Sequence, residues 1–182
     1  MISSNRTSRT FARADQYEFA LCQAINRYIR FRFVLGYFRL VSRLGDGWFW
    51  YALILALPLL PESDSPTQAL HMALTGLACT IAYKWLKSGL VRERPFISFP
   101  SIDCATPPLD RYSFPSGHTL HAVCFQTILF ISHPVLAWWI LPFTVSVATS
   151  RVVLGLHYPS DVLAGAFFGG VIGWLSTLYF TG

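Results

Sequence analysis

The stretch VLAGAFFGGVIGWLSTLYF, residues 162–180, runs for nineteen residues without a charge. About 20 apolar residues cover a hydrocarbon layer of about 30 Å. The stretch therefore reads as a membrane-crossing helix, and Gly165, Gly169, Gly170 and Gly173 would let a neighbouring helix come close. Working toward the N-terminus, residues 134–149, 118–132, 68–85 and 45–61 read as further crossings. The run at 118–132 is short, as is GDGWFWYALILALPLLP at 45–61, where Trp48 and Trp50 mark an interfacial entry. The expected fold is all-α: an integral-membrane helical bundle of about five transmembrane helices plus an N-terminal amphipathic interfacial helix.

Composition agrees. Hydrophobic residues make up 53% of the 182 residues and charged residues 13%, and the mean hydropathy is +0.45. A water-soluble domain carries about 25% charged residues, so most of this surface does not face water. The four cysteines, Cys22, Cys79, Cys104 and Cys124, show no metal-ligand spacing. Neither a zinc site nor a disulfide framework is expected. The early arginines leave no apolar core for a cleavable signal peptide.

The net charge of +5 is unevenly placed, with eight arginines ahead of Gly45. Segment 14–44 mixes arginine with apolar residues at roughly helical spacing, so that Phe19, Ile25, Ile29, Phe33 and Phe38 could share one face. A central arginine costs about 2.5–3.5 kcal/mol in a crossing helix. Residues 1–44 are therefore read as a basic segment lying on the membrane surface, and residues 45–182 as the transmembrane unit. The partner for the basic block is anionic lipid rather than nucleic acid. The connection PESDSPT, residues 61–67, is acidic and rich in turn formers.

Between 87 and 116 the chain turns polar, and its prolines exclude a continuous helix. Three clusters carry chemistry: Lys87-SGLVRE-Arg94-Pro95, then Pro115-Ser116-Gly117-His118, then Ser150-Arg151-VVLGL-His157-YPS-Asp161. Counting crossings puts all three at one membrane face. Lys87, Arg94 and Arg151 could surround a phosphoryl group, because guanidinium forks match phosphate oxygens in pairs. The backbone N–H groups of Ser116 and Gly117 could aim at the same anion from a helix start. Of two histidines, one can attack phosphorus and one can protonate the leaving oxygen. Asp161 lies four residues after His157, on one helical face if that turn is helical. A carboxylate on one ring nitrogen raises the nucleophilicity of the other, so His157 reads as the nucleophile and His118 as the acid. No metal or cofactor is required, since fixed cations would stabilise the equatorial oxygens.

At these residues the sequence resembles the type 2 phosphatidic acid phosphatase family. Its signature is Lys, six residues, Arg-Pro; then Pro-Ser-Gly-His; then Ser-Arg, five residues, His, three residues, Asp, and all three parts stand here without a substitution. The resemblance implies a helical bundle and a phosphohistidine mechanism on a lipid phosphate: phosphatidate, phosphatidylglycerophosphate, or a polyprenyl phosphate or diphosphate. It assigns Lys87, Arg94 and Arg151, with Ser116 and Gly117, to phosphate binding. It makes His118 the acid, His157 the nucleophile and Asp161 its orienting partner.

Larger family members often have six crossings, whereas five are counted here. An odd count puts the N-terminus and the site on one face, and the early arginines favour the cytoplasm. The expected location is a bacterial inner membrane with the site facing the cytoplasm, although many family members face outward. Lys84, Arg92 and Arg111 are read as interfacial anchors, and Glu93 and Asp110 as solvated loop charges. His121 could line the pocket. Two other readings stay open: vanadate-dependent haloperoxidation, and a non-catalytic lipid-binding or transport protein. Neither the particular lipid nor the oligomeric state is legible.

Overall fold

The computed structural model describes residues 4–60, 65–108 and 110–181. All regular structure among them is helical, apart from one isolated β-bridge between Glu93 and Tyr112. Helix α1 spans Ser4–Asn26 and is followed by a 3₁₀ turn at Arg27–Arg30. Helix α2 spans Arg32–Arg43 and runs through a π-helical turn into α3, Phe49–Ala56. That run kinks at Gly47, whose φ of 137° suits only glycine. Helix α4 is Ser65–Gly89, α5 the short Pro95–Ser98, α6 Gly117–Ser132, α7 Pro134–Val153 and α8 Pro159–Thr181. Residues 61–64 of the acidic connection lie outside the described residues, and Ser65 already opens α4.

Helices α7 and α8 are long and apolar enough to cross a membrane by length and composition. Their neighbour α6, at sixteen residues, is shorter. It forms the centre of the bundle and packs against α8, α7 and α4. The centre holds together in two ways. Gln126 of α6 donates to the Ala137 carbonyl of α7 at 2.9 Å and accepts from Thr144 at 2.9 Å. Interhelical polar bonds of this kind tie helices where apolar contact alone gives little selectivity.

The second device is glycine. A Cβ on Gly165 would stand 2.5 Å from the Ser116 carbonyl, on Gly169 2.2 Å from the Leu120 carbonyl, and on Gly173 2.8 Å from the Cys124 carbonyl. Three glycines four residues apart thus let α8 ride directly on the α6 backbone. Gly170 is not part of this seam, since its added Cβ would meet only Val123 at 3.9 Å.

The N-terminal helices pack onto the bundle. Phe19 and Ile25 join one apolar cluster with Cys22, Ile102, Val152 and Tyr158, while Ile29 and Phe38 join another with Leu154 and Leu156. Phe33 does not share that face and is 85% exposed. The 3₁₀ turn and the extended Phe31 reset the helical phase between α1 and α2. The buried Asn26 locks the junction. Its side chain donates to the carbonyls of Asp103 and Val153 at 3.1 and 3.0 Å and accepts from the Asp103 amide at 2.9 Å.

Overpacking a well-packed interface costs about 1–3 kcal/mol. Gly169→Ala should therefore lower the midpoint of thermal unfolding in detergent, whereas Gly170→Ala should leave it nearly unchanged. Equal midpoints for the two variants would show that the seam does not set the α6–α8 distance.

Candidate active site

The site is assembled from helix ends. Lys87 lies in the last turn of α4, and Arg94 directly precedes α5, whose first residue is Pro95. Ser116 is the N-cap of α6, with Gly117 and His118 opening the helix. Arg151 lies in the last turn of α7. The chain then turns through Gly155 at φ 75°, where a Cβ would meet the Asp103 carbonyl at 2.4 Å. That turn folds residues 156 and 157 back so that both amides donate to the Arg151 carbonyl at 3.0 Å. His157 is thereby fixed against Arg151.

Lys87, Arg94, Gly117, His118, Arg151 and His157 line a single cavity of about 670 Å³. The convergence expected from counting crossings is present. The other half of the cavity is apolar: Trp50, Ile54 and Leu55 of α3, Met72, Ala73 and Leu77 of α4, and Phe125 of α6. Leu55 and Leu77 are largely exposed, so this half opens on the outer face of the bundle.

Arg94 is buried and makes four contacts. Nε donates to the Asp110 carbonyl at 2.8 Å, Nη2 to Asp110 Oδ1 at 3.0 Å, and Nη1 to the Leu156 carbonyl at 2.9 Å and to His157 Nε2 at 3.1 Å. A guanidinium has no acceptor. His157 Nε2 must therefore accept, and its proton sits on Nδ1. That nitrogen lies 3.6 Å from Asp161 Oδ2, beyond hydrogen-bond range. The His157–Asp161 pairing is thus a near approach and not a bond, and its geometry differs from the expected helical face. His157 lies in the turn before α8 and Asp161 in the helix's first turn. Burial, followed by the positive charges of Arg94, Arg151 and Lys87, pushes the His157 imidazole well below its ordinary 6.5. It is neutral at pH 7.

Arg151 is buried, donates from Nη1 to Ser42 Oγ at 2.6 Å, and leaves Nε without a hydrogen-bond partner among the described residues. His118 Nε2 pairs with Asp46 Oδ1, seventy-two residues earlier at the kink before α3. His121, one turn on, also lines the cavity, with Nδ1 against the Gly117 carbonyl and Nε2 against Thr80 and the Gly76 carbonyl.

Three readings need correction. Ser116 offers no free amide: its N–H donates to the Asp161 carbonyl at 3.1 Å and its hydroxyl bonds Thr119 at 2.9 Å, so only Gly117 of the pair lines the cavity. Ser116 is an N-cap, the role serine takes most readily at a helix start. Asp110 is no solvated charge. It bridges Lys87 Nζ at 2.6 Å and Arg94, because the buried Arg94 and the partly buried Lys87 need a counter-ion. Burial raises its pKa, but Lys87 and Arg94 outweigh this and hold the carboxyl below 3.8. The stabilisation is therefore present above that value and lost as pH falls through the folded pKa. Arg92 does not snorkel; it is 1% exposed and packed among carboxylates. The pairing of Asp46 leaves no local signal in the sequence, since nothing around it points to a histidine on another helix. Glu93 and Arg111 form an exposed pair with each other, as expected for surface charges.

The PAP2 superfamily model matches residues 68–182. The chain is 29% identical over 126 residues to the undecaprenyl-diphosphatase BcrC of Bacillus subtilis, covering 69% of this chain and 65% of that protein. It thus spans less than two thirds of the length of the first curated relatives it matches. LpxE of Aquifex aeolicus superposes with a TM-score of 0.75 at 24% identity, over 88% of this chain and 94% of that one. A transmembrane PAP2-type phosphatidylglycerolphosphate phosphatase of Bacillus subtilis superposes with a TM-score of 0.70 at 21% identity, over 95% and 90%. The resemblance read from the three motifs is borne out, and the fold is that of transmembrane proteins of this kind.

Asp110 holds two of the cations that an anion would need. A half-exposed ion pair is worth up to about 1 kcal/mol, a factor of about five in Kd. Asp110→Asn should tighten inorganic phosphate binding by up to that factor in calorimetry at pH 7. Unchanged or weaker binding would show that carboxylate and phosphate do not compete.

Proposed function

This chain belongs to the PAP2 superfamily, and we propose that it is an integral-membrane phosphatase that hydrolyses a phosphomonoester or diphosphate of a lipid. One observation carries the reading: a single cavity joins the imidazoles of His118 and His157 and three cations to an apolar groove open at the side of the bundle. A phosphate head group fits the cationic half. The lipid tail fits the groove between α3 and α4, which it can enter from the bilayer. A soluble phosphate ester would not need that groove. Two of these relatives are named as an undecaprenyl-diphosphatase and a phosphatidylglycerolphosphate phosphatase, and a phosphatidate or polyprenyl phosphate has the same division into charged head and apolar tail.

In the proposed reaction Lys87, Arg94 and Arg151 bind the phosphoryl oxygens, with the Gly117 amide adding a donor at the positive end of α6. Arg94 turns from His157 Nε2 to phosphate, which frees that lone pair. Nε2 attacks phosphorus and the bond from phosphorus to the bridging oxygen breaks. His118 gives its proton to the leaving oxygen, with Asp46 holding the ring. Water then attacks the phosphohistidine, His118 takes the water's proton, the N–P bond breaks, and inorganic phosphate leaves. Fixed cations balance the charge on the equatorial oxygens throughout.

The proposed membrane arrangement has five crossings, the segment 45–61 that contains α3, then α4, α6, α7 and α8, with residues 1–44 as helices on the interface and residues 45–182 as the phosphatase unit. The eight early arginines then put the N-terminus and the cavity at the cytoplasmic face of a bacterial inner membrane. Exposed Cys104 reports on this. An impermeant maleimide should label it in inverted vesicles and not in right-side-out ones; the opposite pattern would place the site outside.

Three outcomes test the chemistry. His157→Ala should abolish phosphate release from micellar lipid, and acid quench of the wild type should trap labelled phosphate on His157. His118→Ala should lose about 10²–10⁴-fold, the usual contribution of a general acid. Because kcat/KM reports the free enzyme, its acid limb should fall well below pH 6.5, where the depressed His157 finally protonates. Normal turnover in the purified His157→Ala variant would end the proposal.

A further inference from the structure

Beneath His157 lies a cluster of charges that the three motifs do not explain. Arg92 is among the largest fully buried side chains of the molecule. Its Nη1 donates to Asp161 Oδ1 and to Ser160 Oγ, each at 2.6 Å. Its Nε and Nη2 reach Asp15 Oδ1 at 2.8 and 2.7 Å, and Nη2 stands 3.5 Å from Glu18 Oε2. The guanidinium stacks over the Tyr158 ring at 3.9 Å. Asp15 and Glu18 belong to α1, outside the residues that the family model matches. Glu18 also accepts from the Ser160 amide at 3.2 Å.

We propose that Arg92, held by Asp15 and Glu18, is a positioning residue for the nucleophile, and that α1 thereby forms part of the active site. The inference rests on His157 being the nucleophile. Asp161 Oδ1 is held by Arg92, while Oδ2 accepts from the Tyr158 amide at 2.9 Å and faces His157 Nδ1 at 3.6 Å. With both oxygens fixed, the carboxylate can only present itself to the Nδ1 side of the ring. Once Arg94 has turned from Nε2 to the phosphate, the negative charge on that side keeps the proton on Nδ1 and the lone pair on Nε2, the atom that must attack. A lone arginine would neutralise Asp161. Here one guanidinium is shared among three carboxylates, so a net negative charge remains under the imidazole. Phosphorylation at Nε2 leaves the ring cationic with its proton on Nδ1, and that negative charge stabilises it. The buried arginine therefore steers a neighbour's carboxylate, and the acidic pair on α1 prevents it from cancelling the charge.

The test uses the full chain purified in detergent micelles with a polyprenyl diphosphate as substrate. Loss of a group that orients a catalytic imidazole through its partner costs about 10- to 100-fold in activity. Arg92→Gln should lower kcat by that factor and leave KM within twofold. Asp15→Asn combined with Glu18→Gln should lower kcat by about tenfold, again with little change in KM. Arg92→Lys, which keeps the charge, should recover part of the loss. The ¹⁵N spectrum of histidine-labelled protein supplies a readout independent of turnover. With inorganic phosphate bound, when Arg94 has turned from Nε2 to the anion, the His157 ring should be in the Nδ1–H form in the wild type, with Nε2–H appearing in Arg92→Gln and in Asp161→Asn. A wild type inactive on the polyprenyl diphosphate and on phosphatidate and phosphatidylglycerophosphate would overturn the phosphatase reading but not the tautomer result. If the α1 double variant and Arg92→Lys both fold and keep the wild-type kcat and tautomer, the positioning role is overturned. A loss confined to KM would also overturn it, since that would place Arg92 on the head group.

Discussion

The approach of α8 to α6 is the constraint on which the rest of this molecule depends. A methyl group on Gly169 would stand 2.2 Å from a carbonyl of the facing helix, so the two backbones are in contact with no side chain between them. That contact brings the first turn of α8 beside the cap of α6, where the Ser116 amide donates to the Asp161 carbonyl at 3.1 Å. The proposed acid sits two residues after that cap, and the proposed nucleophile four residues before Asp161. A seam of three glycines in the bundle thus determines how far apart the two imidazoles stand at its rim.

Electrostatics accounts for the remaining architecture. Lys87, Arg94 and Arg151 are held at helix ends and Arg92 in the connection between α4 and α5, all with little access to water. Buried charges need partners; three of the four meet carboxylates from elsewhere in the chain, while Arg151 bonds the Ser42 hydroxyl. Asp110 serves Lys87 and Arg94, and Asp15, Glu18 and Asp161 serve Arg92. Asp110 and Arg92 differ in function for a physical reason. Asp110 is 38% exposed in its side chain and can yield to a phosphate arriving through the cavity. The Arg92 cluster lies under the ring, away from any entry, and can only orient what is above it.

The apolar half of the cavity gives the charged half its context. A cationic cup alone would accept any phosphate. Joined to a groove between α3 and α4 with exposed Leu55 and Leu77 at its mouth, it favours a substrate that is part lipid. The kink at Gly47 contributes to both halves, since it turns Asp46 toward His118 and sends Trp50 and Ile54 down the groove.

The helical bundle, its membrane setting, the family and the convergence of Lys87, Arg94, Gly117, His118, Arg151 and His157 were all legible in the residues alone. Hydrophobic runs and helix-breaking prolines are local properties, and the three motifs carry their own spacing. The partners of those residues were not legible. Asp46, Asp110, Asp15 and Glu18 are ordinary acidic residues in their own neighbourhoods, and Arg92 looks like an interfacial anchor. Ser116 was read as an anion donor because sequence shows which residue precedes a helix but not what its amide already bonds. The direction of the His157 ring depended on which atoms of Arg94 reached it. A motif specifies residues close in the chain, whereas a counter-ion is chosen by distance in space. Only the packed helices decided those distances.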